Sequence, residues 1–125
     1  MNLLLDTHAL LWWLADANEL GPAARAAIGD PTRVVYFSAV NVWEIVIKKA
    51  LGKLAVPDEL PTVLEEQPFE RLAMTVDHAF KVAELPTHHR DPFDRLLIAQ
   101  CLVEGLTIVT HDGDIAKYDV PILRT

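Results

Sequence analysis

Six carboxylates stand where a short apolar run stops or a helical pattern starts: Asp6, Glu44, Asp91, Asp94, Asp112 and Asp114. Carboxylates gathered at one rim repel one another unless a divalent cation neutralises them, and hard oxygen donors that leave room for water suit Mg²⁺ or Mn²⁺. An ion held in this way orients a phosphodiester, stabilises charge on its oxygens and lowers the pKa of an attacking water. Phosphodiester hydrolysis is the chemistry these residue types allow, provided the fold brings them together.

Each acid also has a plainer use. Glu44 and Lys48 are spaced as an i,i+4 surface pair, worth about 0.3–0.5 kcal/mol. Asp91 suits an N-cap before Pro92, and Asp94 then sits in the first turn, where the helix dipole favours it. Asp112 and Asp114 flank Gly113 in a turn, a place that tolerates Asp. Asp6, Glu44, Asp94 and Asp112 nevertheless share a placement, at strand ends and helix starts, and that coincidence argues for one site. Thr7, Ser38 and Thr110 also lie at predicted strand ends, where a hydroxyl either caps the next helix or steadies a ligating carboxylate. Lys48, Arg90 and Arg95 are the cations nearest the acids and are candidate contacts for phosphate. His88 and His89 read as loop polar residues, and Trp12, Trp13 and Trp43 as helix core or partner surface rather than base-stacking rings.

The elements that must position these side chains alternate. Short strands are expected at residues 3–5, 33–37, 70–74 and 107–110, with a last edge strand at 120–123 that Pro121 weakens. Helical patterns fall at 9–15, 22–28, 40–51, 58–66, 76–84 and 92–104, punctuated by Pro22, Gly52, Gly105 and Asp91-Pro92. In the 40–51 helix, Val40, Trp43, Ile47 and Ala50 form the apolar stripe, and Asn41, Glu44 and Lys48 another. Buried strands alternating with helices predict a central parallel sheet in a three-layer α/β/α sandwich. Ligands of such sheets bind at the carboxyl ends of the strands, so neighbouring strands ending at Asp6 and Thr110 would aim Asp6 and Asp112 into one crevice.

Composition narrows the classes further. With 125 residues, 51% hydrophobic and 23% charged, the chain is expected to be one domain, 1–125, with a core that needs no staple. Its one cysteine, Cys101, lies among apolar neighbours and reads as core, which fits a reducing cytoplasm. The apolar run at 9–15 is far short of the roughly 20 residues a bilayer requires, so no membrane association is expected. A net charge of −7 argues against coating nucleic acid by bulk electrostatics but not against an enzyme that meets it through metal ions.

Four blocks carry a family resemblance: Leu3-Leu4-Leu5-Asp6-Thr7-His8-Ala9-Leu10-Leu11-Trp12, Ser38-Ala39-Val40-Asn41-Val42-Trp43-Glu44-Ile45, His89-Arg90-Asp91-Pro92-Phe93-Asp94-Arg95-Leu96-Leu97-Ile98-Ala99-Gln100, and Val109-Thr110-His111-Asp112. In this order and spacing the chain resembles the PIN-domain ribonucleases, and among them the VapC-type toxins of prokaryotic toxin-antitoxin pairs. The resemblance implies a PIN-like fold, metal-binding acids at Asp6, Glu44, Asp94 and Asp112, and Mg²⁺- or Mn²⁺-dependent endoribonuclease activity. It also implies an RNA substrate, a homodimer and a VapB-type antitoxin that blocks the site. Asp91 and Asp114 remain accessory candidates; Asp112 is favoured over Asp114 for the fourth acid because it follows Val109-Thr110 more closely.

Other classes fit less well. An aspartyl-nucleophile phosphatase wants a second acid two residues after Asp6, where His8 stands. A phospho-accepting receiver module wants paired acids at the first strand end and a lysine after a late strand, whereas Thr110 is followed by His111-Asp112. An inactive PIN scaffold would have no use for four intact acids.

Overall fold

Leu3, Leu4 and Leu5 make strand β1 (Leu3–Leu5), and all three are wholly removed from water. A strand buried on both sides needs two apolar layers, and the pleat assigns its residues to them alternately. The computed structural model, which describes residues 1–125, supplies both layers. Leu3 and Leu5 pack with Ala9 and Leu10 of α1 (Thr7–Leu14), Ala24 and Ile28 of α2 (Pro22–Ile28), Ile45 of α3 (Ala39–Ala50) and Leu64 of α4 (Leu60–Glu66). Leu4 packs on the opposite side with Leu97, Ile98 and Cys101 of α6 (Pro92–Glu104), which lies against α5 (Val76–Val82). The sheet adds β2 (Val35–Ser38), β3 (Glu70–Leu72), β4 (Thr107–Thr110) and β5 (Ile122–Arg124) in the order β3-β2-β1-β4-β5, all parallel. This is the expected three-layer α/β/α sandwich around a parallel sheet. No helix is long and apolar enough to cross a membrane.

From β1 the chain builds the sheet outward through β2 and β3, then returns to place β4 on the other side of β1. The strand order therefore reverses between β1 and β4, and a crevice opens at their carboxyl ends. Asp6 follows β1 directly, and Asp112 lies two residues past β4.

Several boundaries differ from the sequence pattern for local reasons. Helix α1 starts at Thr7 rather than Ala9 because the Asp6 carboxylate caps it, accepting from Ala9 N at 2.7 Å. Strand β2 covers 35–38 rather than 33–37, since the Val34 N–H is taken by the Asn2 side chain at 3.1 Å. Strand β5 is 122–124 rather than 120–123: Pro121 has no N–H to give, only a carbonyl that accepts from Ile108 N at 2.9 Å. Helix α6 keeps the expected bounds, capped by Asp91 and closed by Gly105 in the left-handed conformation (φ 70°).

The orientation of α3 corrects the expected stripe. Val40 is buried as expected, but Asn41, Glu44 and Ile45 are the other buried positions, while Trp43 is 49% exposed and Ala50 lies on the surface. The polar stripe of the helix, not its tryptophan, faces the carboxyl edge of the sheet.

Candidate active site

Asp6 and Glu44 are 5% and 4% exposed, unusual burial for acids, and each carboxylate oxygen has a donor. Asp6 accepts from Ala9 N and, at 2.5 Å, from the Thr110 hydroxyl. Burial raises its pKa above the usual 3.8, against the lowering effect of those two hydrogen bonds, and the nearby Asp112 charge pushes the same way as burial. Glu44 accepts from the Thr7 hydroxyl at 2.6 Å and pairs through its other oxygen with Lys48. Glu44, with Asp91 and Asp94 adding to it, holds the Lys48 ammonium above its ordinary pKa.

Asn41 ties these parts together. Its side-chain amide donates to Thr7 Oγ1 and to the Leu5 carbonyl, both at 3.1 Å, and its oxygen accepts from Ser38 N at 2.7 Å. The end of β1, the start of α1 and the start of α3 are thus joined by one buried side chain. The sequence pattern did not single it out, although Ser38 followed three residues later by Asn41 is the spacing of a capping box.

Asp94 faces the same region from α6. Its pKa is pushed up to about 7, first by burial and then by the charges of Asp91, Asp112 and Glu44, with the hydrogen bond to His89 opposing. His89, read from sequence as a loop residue, lies 3.2 Å through Nε2 from Asp94 Oδ2 and 2.8 Å through Nδ1 from the Tyr118 hydroxyl. Arg95 Nη1 donates to that hydroxyl at 2.9 Å. A guanidinium only donates, so the phenol oxygen accepts from Arg95 while it shares a hydrogen bond with His89 Nδ1, and the ring's other nitrogen, Nε2, is turned toward Asp94.

Asp112 is held by its own turn: its N–H donates to Thr110 Oγ1 at 3.0 Å and its carboxylate accepts from Asp114 N at 2.7 Å. Thr110 therefore links Asp6 to the Asp112 backbone. The remaining sequence candidates lie as follows. Asp91 caps α6, accepting from Phe93 N and Asp94 N. Asp114 turns to Lys117 at 2.9 Å. The Ser38 hydroxyl donates to Gln100 Oε1 at 2.6 Å and touches none of the four acids. Arg95 is directed inward, to Tyr118 and to the Pro86 carbonyl at 2.8 Å, while Arg90 is exposed.

The donor set matches a hard divalent cation: carboxylate oxygens only, close enough for Asp112 to raise both Asp6 and Asp94. As the side chains stand, no three His, Cys, Asp or Glu groups are arranged to hold one metal ion together. Glu44 in particular is engaged with Thr7 and Lys48.

The PIN-domain family model matches residues 3–121. The chain belongs to the PIN-domain family. It is 27% identical to Ribonuclease VapC22 of Mycobacterium tuberculosis, an alignment that covers 96% of this chain and 94% of that protein. Among solved structures, VapBC2 from Rickettsia felis bound to a promoter DNA fragment superposes with a TM-score of 0.76 at 13% identity, covering 100% of this chain and 99% of that one. FitAcB from Neisseria gonorrhoeae superposes with a TM-score of 0.63 at 23% identity, covering 97% and 96%. These likenesses bear out the fold and the family expected from the four sequence blocks. In this PIN domain those blocks meet at one end of the sheet, the first supplying Asp6 and Thr7, the second Asn41 and Glu44, the third His89 and Asp94, the last Thr110 and Asp112.

Proposed function

We propose that this PIN domain is a divalent-metal-dependent endoribonuclease and the toxin of a VapBC-type pair, cytoplasmic, homodimeric and restrained by a VapB-type antitoxin. The observation that carries the reading is the placement of four acids at the carboxyl end of the sheet, Asp6 and Glu44 buried and Asp94 and Asp112 half-buried, with Thr110 bonded to both Asp6 and the Asp112 backbone. The relative named as a ribonuclease and the neighbour solved as a VapBC2 complex support the activity and the partner.

Asp6, Glu44, Asp94 and Asp112 would hold the Mg²⁺ or Mn²⁺. When bound, the ion supplies Lewis acidity at the phosphate and lowers the pKa of water. The chain's own groups do the rest. Thr110 fixes Asp6 and the Asp112 turn, Thr7 and Asn41 fix Glu44, and His89 fixes Asp94, so the acids are held before substrate arrives. Lys48 offsets the charge of Glu44, and the exposed Arg90 beside Asp91 is the cation placed to meet a phosphate.

The test is cleavage of a single-stranded RNA by the purified protein. Mg²⁺ or Mn²⁺ should be required, EDTA should stop the reaction, and Asp6→Ala or Asp94→Ala should lower the rate by orders of magnitude. Undiminished cleavage in EDTA would overturn metal dependence, and no cleavage under any metal would overturn the nuclease reading.

A further inference from the structure

One wall of the crevice is lined with aromatic and imidazole rings. His8 and Trp12 sit one turn apart on α1 with centroids 5.8 Å apart and planes at 26°, and His111 meets Trp12 edge-on at 5.8 Å. His8 and His111 are exposed, and Trp12 is half-buried with part of its surface on the apolar cluster below. Together with Asp6, Asp112 and Gly113 they line a cleft of about 440 Å³. Acids and aromatic rings therefore share one opening.

Charge limits what such an opening can bind and how. Of 11 Lys and Arg residues, Arg25, Arg33, Lys48, Lys49, Arg71, Lys81 and Lys117 are in ion pairs and Arg95 is directed inward. Only Lys53, Arg90 and Arg124 are exposed without an ion pair, on a protein of net charge −7. Beyond the metal ion and Arg90, few free cations are left to meet a phosphate, so bases, whose π-faces stack on rings whatever the sequence, are the remaining source of affinity for a polyanion here.

We propose that His8, Trp12 and His111 form a subsite that stacks an unpaired nucleobase of the RNA next to Asp6 and Asp112. The proposal rests on the nuclease reading for its substrate class. Base stacking, rather than phosphate pairing, then sets affinity, and duplex RNA is a poor ligand because its bases are already stacked.

Fluorescence anisotropy with a short labelled single-stranded RNA, in Ca²⁺ in place of Mg²⁺, tests this directly. The same strand with abasic riboses should bind wild-type protein about 5- to 150-fold more weakly, the span of one stacked base. Trp12→Leu and His111→Ala should weaken binding of the intact strand and erase its advantage over the abasic one, whereas Trp12→Phe should keep most of it. His111→Ala alters only an exposed loop side chain, so it stays informative if Trp12→Leu folds poorly. The slope of log affinity against log salt should be no steeper than about −1.4, equivalent to two phosphate contacts on a single strand. Wild-type affinity in both His111→Ala and Trp12→Leu, or a slope of about −3 or steeper, overturns the proposal and leaves the rings to a protein ligand. A protein that binds in this base-dependent way but never cleaves keeps the subsite and loses the nuclease reading. One that cleaves with its ring variants unchanged does the reverse.

Discussion

Replacing Asp94 by Asn tests whether the acids share a site through stability rather than activity. The folded protein holds the Asp94 proton up to a pH of about 7, while the unfolded chain releases it near 3.8. The resulting stability is full below pH 3.8 and is lost as pH rises through about 7, so the metal-free wild type should weaken across that window. The side chain is only 16% exposed, so solvent screens little of the effect. At about 1.4 kcal/mol per pH unit the cost at pH 8 is on the order of 2–4 kcal/mol, shared with the charges of Asp91, Asp112 and Glu44. Asn removes the charge and keeps an oxygen for His89. In EDTA at pH 8, Asp94→Asn should melt about 6–15 °C above wild type, and the gap should close towards pH 4. Mg²⁺ at ten times its Kd should raise wild-type stability by about 1.4 kcal/mol and the variant much less. Thermal melts across pH, with chelator and with Mg²⁺, read all of this. A variant that melts below wild type at pH 8, or keeps the full Mg²⁺ shift, would refute the shared charge and leave Asp94 as a first-turn residue favoured by the helix dipole.

Further substitutions at three places separate positioning from packing. Thr110→Val removes the hydroxyl between Asp6 and the Asp112 turn; stability should fall by about 1.5–3 kcal/mol and Mn²⁺ affinity by about 10- to 100-fold, and unchanged Mn²⁺ binding in a calorimetric titration would deny the link. Tyr118→Phe cuts the chain from Arg95 to His89, so Mn²⁺ affinity should fall about tenfold, as in His89→Ala, while His89→Gln, which can still donate to Asp94, should recover part of it; equal affinities across the set would count against positioning through His89. Gln100→Leu should cost about 1–3 kcal/mol by leaving the buried Ser38 hydroxyl without its acceptor, yet leave RNA cleavage per folded molecule unchanged, a result that loss of cleavage would contradict.

The layers were legible because β1, β4 and α6 are apolar enough to be buried on any arrangement of a parallel sheet, and Cys101 lies in the core as its neighbours imply, its thiol pushed up to about 12 by burial. Misplacing α3 has a physical cause. Periodicity ranks side chains by hydrophobicity and turns Trp43 inward, but Asn41 and Glu44 can be buried because each finds partners from other elements, Leu5 and Thr7 among them. Those partners are distant in sequence, so no local pattern shows them. The same holds for His89 and Arg95, whose bonds to Tyr118 span 29 and 23 residues. Asp6 was legible as an acid at a strand end but not as the cap that starts α1, since capping depends on the backbone turn that follows β1.

The most direct measurement is a Mn²⁺ titration followed by electron paramagnetic resonance on the wild type and on Asp6→Asn, Glu44→Gln, Asp94→Asn and Asp112→Asn. Coordination by one shared set requires that every single amide variant bind Mn²⁺ at least about tenfold more weakly than wild type while remaining folded. Wild-type affinity in any one of them removes that acid from the set, and wild-type affinity in all four would contradict a joint metal site at the end of the sheet.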